Sequence, residues 1–526
     1  MNIKRSRNGS SVGTVFLALL LAALLTGCAA SGQQHAQAAD LPEEDAETRW
    51  DDSATRVTLS PEGIAIQGSG ATAQGQNLTI SGAGIYVVSG TLENGQILVD
   101  APKGELVRLV LNGVAVTNQT GAALYAPQCR KLVITLAPDT QNTLADGGAG
   151  FAYQDPQQKE PSAALFVKND LTINGEGALT VNAGFSNGIT AKDNLLIAGG
   201  RLSVHAAESA LRGNDSVTVA GGNLMLSGQK DGIQTHNEED ADKGWVLLAG
   251  GTVNITSGYD GVQADRTITV AGGEITITSG EGRQGDSHSQ KGLKSRGNLA
   301  VLGGSVAIQS PDDCLHADGS MEIAGGIMTL DSGDDAIHAD GDLLIRGGEV
   351  RILRSHEGVE AASITMEGGI LEVVSEEDGI NAAGDTEGRN AIRISGGSVR
   401  VRAQGDGLDS NGDITVSGGE IISLIQSTPD NGAMDCDDAF TVSGGTLIYG
   451  GTGIGRVPQG QSYVSLTVPV EAGEALSLQK DGQTLAAFTP DVPCRELVIS
   501  TPALTGGQQY DLVSGDRVLA TVTAMP

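Results

Sequence analysis

Residues 303–324 read GGSVAIQSPDDCLHADGSMEIA and residues 325–346 read GGIMTLDSGDDAIHADGDLLIR, one 22-residue unit written twice. Each copy opens on a Gly-Gly pair and places apolar side chains at alternate positions, Val306 and Ile308 or Met328 and Leu330. An acidic doublet follows, then a run that is small, aliphatic, variable and small. Alternation at period two marks short strands, and glycine permits the sharp corners between them. The second glycine of the pair recurs at 200, 222, 251, 273, 304, 326, 348, 369, 397, 419 and 445, so half of the intervals are 22 residues. The longer intervals carry polar insertions at 236–243, 281–290, 384–390 and 427–431.

A unit of this length with about three short strands is one coil of a parallel β-helix, and the crossover rule makes it right-handed. Leucine-rich repeats share the length but need a fixed frame of Leu and Asn that is absent here. At about 4.8 Å per coil the recognisable units predict a rod roughly 50 Å long. Leu106–Leu111 and Lys131–Leu136 read as strands without the period, and folding is expected to begin near Arg56. From residue 456 the period is lost, and Tyr463–Val468 and Glu496–Ser500 predict a small β-sandwich-like cap. The expected fold is therefore all-β, with the β-helix over 55–455 and the cap over 456–526.

Composition agrees with stacked short strands. Gly contributes 76 of 526 residues while aromatics are only 3%, so the core must be built from small and branched aliphatics. The formal charge of -32 repels nucleic acid and bare anionic lipid, which leaves cations or neutral ligands as natural partners. Lys4, Arg5 and Arg7 precede an apolar run from Val12 to Leu25 that ends in Leu25-Thr26-Gly27-Cys28. Residues 1–27 are the pattern of a bacterial lipoprotein signal, with Cys28 as the lipidated first residue of the mature chain. Residues 28–54, with Glu43, Glu44, Asp45 and Glu47, read as a solvated tether that holds the protein at the extracellular face of the membrane. Cys129, Cys314, Cys436 and Cys494 lack the paired spacing of a metal knuckle and read as small buried residues, a disulfide among them staying open.

Stacking converts a repeated position into a column of side chains. Two residues before the repeat aliphatic stand Asp231, Asp260, Lys291, Asp313, Asp335, Glu357, Asp378 and Asp406. One and three residues after it stand Gln263 and Asp265, His316 and Asp318, His338 and Asp340, Asp409 and Asn411, and Asp435 and Asp437. Carboxylates this close repel one another, and calcium relieves that with tolerant geometry and many oxygen ligands. The favoured calcium site takes Asp231, Asn237, Asp240, Asp242, Asp260 and Asp265, because the insertion adds oxygens beside the column. Asp313, Asp318, Asp335 and Asp340 form a second candidate, and Asp406, Asp409, Asp435 and Asp437 a third. The competing reading is that each Asp caps its own turn. Zinc through His316 and His338 lacks a third His or a Cys.

Gly84–Thr91, Gly95–Asp100, Val110–Val114, Asp170–Gly175 and the run from Asp231 to Gly244 resemble the clostridial cell-surface carbohydrate-binding domain-containing proteins. That β-helix family is similar in shape to pectate lyases, and the likeness spans roughly residues 55 to 455. The resemblance implies a Gram-positive source, a calcium-containing β-helix, and cellulose or a pectic, uronic-acid polymer as ligand. Tyr125, Tyr153, Phe185, Trp245 and Tyr259 are the aromatic candidates for stacking sugars. A calcium-dependent polysaccharide lyase is the enzymatic alternative, with Lys291, Lys294 and Arg296 as its bases, and a structural spacer or adhesin is the third. The chain is expected to act as a monomer.

Overall fold

A computed structural model describes residues 41–282, 287–384, 390–426 and 431–526, and the chain divides into a unit over Met1–Gln37 and one over Ala38–Pro526. The leader, Cys28 and much of the insertions near 283, 385 and 427 lie outside the described residues. No described helix is long and apolar enough to cross a membrane.

The unit from Ala38 is a parallel β-helix with three strands per coil. In the coil that opens at Gly303 these are Ser305–Ser310, Leu315–Ala317 and Met321–Ile323, which form the first, second and third faces. Each pairs in parallel with its equivalent one unit later, Val306 with Met328, Leu315 with Ile337 and Met321 with Leu343. The alternating pattern turns Val306, Ile308, Leu315, Ala317, Met321 and Ile323 inward, all buried in one core that runs along the stack. A buried aliphatic contributes about 1.5–3 kcal/mol, so each coil stabilises its neighbours by several such side chains.

The Gly-Gly corner joins the third face to the first. Gly304 has φ +87°, and a Cβ there would meet the backbone of Gly272 and Gly273 at 2.9 Å. Corners of successive coils therefore pack backbone on backbone, which is why the pair recurs at every turn.

Two antiparallel hairpins end the stack on the N-terminal side, Thr55–Ser60 with Gly63–Gln67 and Ala71–Gln74 with Asn77–Ile80. The expected tether is shorter than residues 28–54, because its last part is docked on the third face. Asp45, 2% exposed, takes Lys131 Nζ at 2.6 Å and the Thr172 hydroxyl at 2.5 Å, and its carbonyl accepts from Asn174 Nδ2 at 2.7 Å. Glu44 pairs with Arg130 at 2.7 Å. Acidic composition suggested solvation, but the basic residues of the opening coils hold these acids down.

At the other end Cys494–Ser500 pairs antiparallel with the last first-face strand, Thr446–Gly451, and with Tyr463–Val470. A separate antiparallel sheet of Leu476–Lys480, Gln483–Phe488, Gln509–Ser514 and Arg517–Thr523 closes a second core over Ile422, Leu424 and Ile448. The cap thus covers an otherwise open strand edge. All four cysteines of this unit are buried and free.

Candidate functional site

The second face supplies the polar surface. Its three-residue strands bury their first and third side chains and turn the middle one outward, as in Leu315-His316-Ala317. Register then stacks Arg212, Gln234, Gln263, Lys294, His316, His338, Glu360, Asn381 and Asp409 into one outer column. The acidic column from Asp231 to Asp406 runs along the corner before it.

Much of that corner caps backbone. Asp231 Oδ1 accepts the Asp260 N–H (3.2 Å), Asp260 Oδ1 the Lys291 N–H (2.8 Å), Asp313 Oδ1 the Asp335 N–H (3.3 Å) and Asp378 Oδ1 the Asp406 N–H (2.6 Å). Each acid therefore ties its coil to the next one. What differs along the column is the charge opposite. From Asp260 to Asp335 every position has an ionic partner: Lys294 Nζ lies 3.7 Å from Asp260, Lys291 Nζ 2.5 Å from Asp313, and His338 Nδ1 2.9 Å from Asp335. From Glu357 through Asp406 no position has an ion pair among the described residues.

The six residues of the favoured calcium site fall into separate arrangements. Asp231 and Asp260 sit on the corner, where burial and then Asp260 push Asp231 up to about 7. In the insertion, Asn237 donates to Asp215 (2.9 Å) and accepts the Asp240 N–H, while Asp240 accepts the Asp242 N–H. Lys243 neutralises Asp215 at 2.8 Å, and Arg296 faces the buried Asp265 at 3.5 Å. No three acid or imidazole ligand atoms among these residues lie together within 4.8 Å. Of the loop's extra oxygens, those of Asn237 and Asp240 close its own turns.

In the second candidate each imidazole is gripped on both sides. His316 meets Asp313 at 2.7 Å and Asp318 at 3.0 Å, and His338 meets Asp335 at 2.9 Å and Asp340 at 3.1 Å. The two rings stack, 4.9 Å apart and 14° from parallel. Hydrogen bonds to Asp335 and Glu360 hold His338 protonated well above the usual imidazole range. Ligand atoms of Asp313, His316 and His338, of Asp335, His338 and Glu360, and of Asp312, Asp313 and Asp334 cluster within 4.8 Å. In these groups His338, His316 and Lys291 already balance the acids.

The third candidate contains the uncompensated cluster. Carboxylate atoms of Asp378, Asp406 and Asp409 lie within 4.8 Å of one another. Burial and then neighbouring acids raise all three, Asp406 to about 6 and Asp409 to about 7. Asp435 adds to that field, accepting the Cys436 N–H at 2.9 Å and facing Arg456 at 3.9 Å, while Asp437 is exposed and anchored by its backbone to Ser410. Three hard oxygen donors in mutual repulsion suit a hard divalent cation. Asp378 stood in the sequence column without a metal role; the outer-column spacing that sets Asp409 one coil above Asn381 was the signal that joins them.

The aromatic candidates divide in the same way. Tyr125 is buried against Phe166, and Trp245 is half-buried on the third face. Tyr259 stacks on His288 at 4.5 Å and 9°. Phe185, 37% exposed, packs against Phe151 at 5.1 Å, and Phe151 against Tyr153 at 6.4 Å.

Residues 74–336 and 334–452 match the family of carbohydrate-binding domain-containing proteins, and the chain belongs to that family. A carbohydrate-binding domain-containing protein of Acetivibrio thermocellus is 43% identical over 123 residues, which are 23% of this chain and 43% of that protein. The chain thus spans under half the length of this curated relative. The solved structure of a polysaccharide lyase-like protein from C. thermocellum, a gadolinium derivative, is 33% identical with a TM-score of 0.44, over 47% of this chain and 96% of that one.

Proposed function

We propose that the chain binds an extended polysaccharide along the outer surface of the second face, with calcium held by Asp378, Asp406 and Asp409 joining polymer to protein. The observation that carries this reading is the trio itself: three carboxylates within 4.8 Å and no ion pair to any of them among the described residues. Calcium takes six to eight oxygens, so three carboxylates leave coordination to be completed by sugar oxygens. It also supplies the positive charge through which a chain of net charge -32 can hold an acidic polymer. Cellulose and pectic, uronic-acid polymers are the ligands suggested by the resemblance. The protein works at the extracellular face of the membrane, tethered through Cys28.

The lyase alternative is less well supported. A general base must first be free of its proton, yet Lys291 is held above its ordinary value, burial being outweighed by Asp313 and Asp312. Lys294 and Arg296 likewise face Asp260 and Asp265. The test is a pull-down on insoluble cellulose and on pectate coupled covalently to beads, with calcium and with chelator. Retention that needs calcium and is lost in the Asp406→Asn/Asp409→Asn double variant is expected; equal retention by that variant in calcium would refute the bridging role.

A further inference from the structure

In the opening coils the third face is covered by the chain's own N-terminal segment. Its strands stack from Thr55–Ser60, through the leading parts of Gly84–Leu92 and Leu106–Asn118, to Lys131–Leu136 and Asp170–Gly175. Register turns two columns outward on this face: Ile85, Arg108, Val133 and Thr172, and beside them Val87, Val110, Thr135 and Asn174. Val133, Val110, Thr135 and Thr172 are all 0% exposed, because residues 42–54 lie over them as a strap. Leu196, which continues the first column in the next coil, is partly exposed.

The strap runs from Asp170–Gly175 back to Thr55–Ser60, against the direction in which the coils wind, and its contacts change along the way. At the end nearer Cys28 they are ionic and hydrogen-bonded. Asp45 is held by Lys131 and the Thr172 hydroxyl, and Glu44 by Arg130. The Glu44 carbonyl accepts from Arg108 Nη2 and the Glu47 carbonyl from Asn174 Nδ2, both at 3.2 Å. At the other end Trp50 and Ala54 pack against Val87, Val110 and Ala137.

This order matters for a chain that is pulled from its N-terminus. Asp45 and Lys131 are 2% and 8% exposed, and parting them leaves two buried charges uncompensated. A force arriving through Leu41 meets that pair first and must break it together with the bonds of Glu44 and Glu47. The strand Thr55–Ser60 behind it is held differently, by backbone ladders to Tyr86–Gly90 and to Gly63–Gln67. Pulled directly, such a terminal strand opens one hydrogen bond after another, and resistance to forced opening is set by the barrier of the first step.

We propose that residues 42–54 are a clasp that passes the load of the membrane tether into the coils at Lys131 and Thr172, and so keeps the terminal strand from being peeled away. The source of the load is the tether reading of Cys28; the clasp itself is a property of the folded chain.

The test is an optical-trap measurement on the unlipidated chain from Cys28 to Pro526, with one handle on the Cys28 thiol, the other four thiols being buried, and one at the C-terminus. Wild type should first lengthen by about 45 Å, the contour of residues 42–54, and only then lose its terminal strands. Asp45→Asn and Lys131→Met should release the strap at about half the wild-type force or less and leave the later steps unchanged. Glu62→Gln, at the exposed hairpin turn, should alter neither step. Hydrogen exchange checks that Lys131–Leu136 stays protected in each variant; if it does not, Arg130→Gln, which breaks only the half-exposed Glu44 pair, carries the comparison and should also lower the release force. A first wild-type step that already includes residues 55–67, or variants that release at the wild-type force, would overturn the clasp. A native Cys28 without lipid would instead refute the tether, and with it the source of the load, whatever the trap shows.

Discussion

The coils from Asp260 to Asp335 and those from Glu357 to Asp406 use one repeat position for opposite electrostatic ends. In the first stretch Lys291, Lys294, His316 and His338 sit within reach of the acids, so the ladder is a neutralised seam that caps backbone. In the second the outer column changes to Glu360, Asn381 and Asp409, none of them a cation, so that Asp378 and Asp406 face more acid. The residue two before the aliphatic is therefore a fixed structural device. The residue one after it, together with Lys291 inside the acid column, decides whether the coil is balanced or needs a cation.

The sharpest break of this comparison is in the balanced stretch. Asp313→Ala leaves the half-buried Lys291 with Asp312 only and His316 without its inner partner. Breaking such a pair costs about 3 kcal/mol. The shift of the chemical unfolding midpoint should be the same with calcium and with chelator; a calcium-dependent loss would place a metal in the wrong half.

The next effect belongs to the unbalanced stretch and to pH. Asp406 and Asp409 have folded pKa values near 6 and 7, above the usual carboxylate range, because burial and neighbouring acids disfavour their charge. Groups raised in this way favour the folded state below about pH 4 and lose that contribution as pH rises through their folded values. In chelator, stability should therefore fall between about pH 4 and 7, by roughly 1–2 kcal/mol after solvent screening. Calcium should cancel the fall, and Asp406→Asn/Asp409→Asn should abolish it. Differential scanning fluorimetry across that range reads both.

The smallest effect is at the histidine stack. His338 is raised by Asp335 and Glu360, so its contribution is complete below about pH 6.5 and is lost as pH climbs through its folded value near 11. His338→Gln should cost about 1 kcal/mol at pH 7, without any calcium dependence, because the ring and Glu360 are partly solvated although Asp335 is buried. A calcium-dependent melting shift in this variant would move the metal site up the column.

The fold was legible because its signal is repeated. Gly-Gly at each corner and inward aliphatics such as Leu315 and Ile337 carry the same information coil after coil, and register follows from it. The columns were legible for the same reason. The partners across them were harder to read, since Asp378 and Asp409 come from different coils and different repeat positions, and only the outer-column spacing joins them. The insertion at 236–243 is rich in oxygen ligands by composition, and in the structure Asn237 and Asp240 also cap its own turns. The docking of Glu44 and Asp45 escaped notice because their partners, Arg130 and Lys131, look like ordinary residues at the start of a strand.

The most direct measurement is long-wavelength anomalous diffraction from crystals grown in calcium. A calcium peak bound by Asp378, Asp406 and Asp409, with none against Asp260 or Asp313, is the predicted result. A peak in the balanced coils with the trio empty, or no peak at all at saturating calcium, would contradict the account.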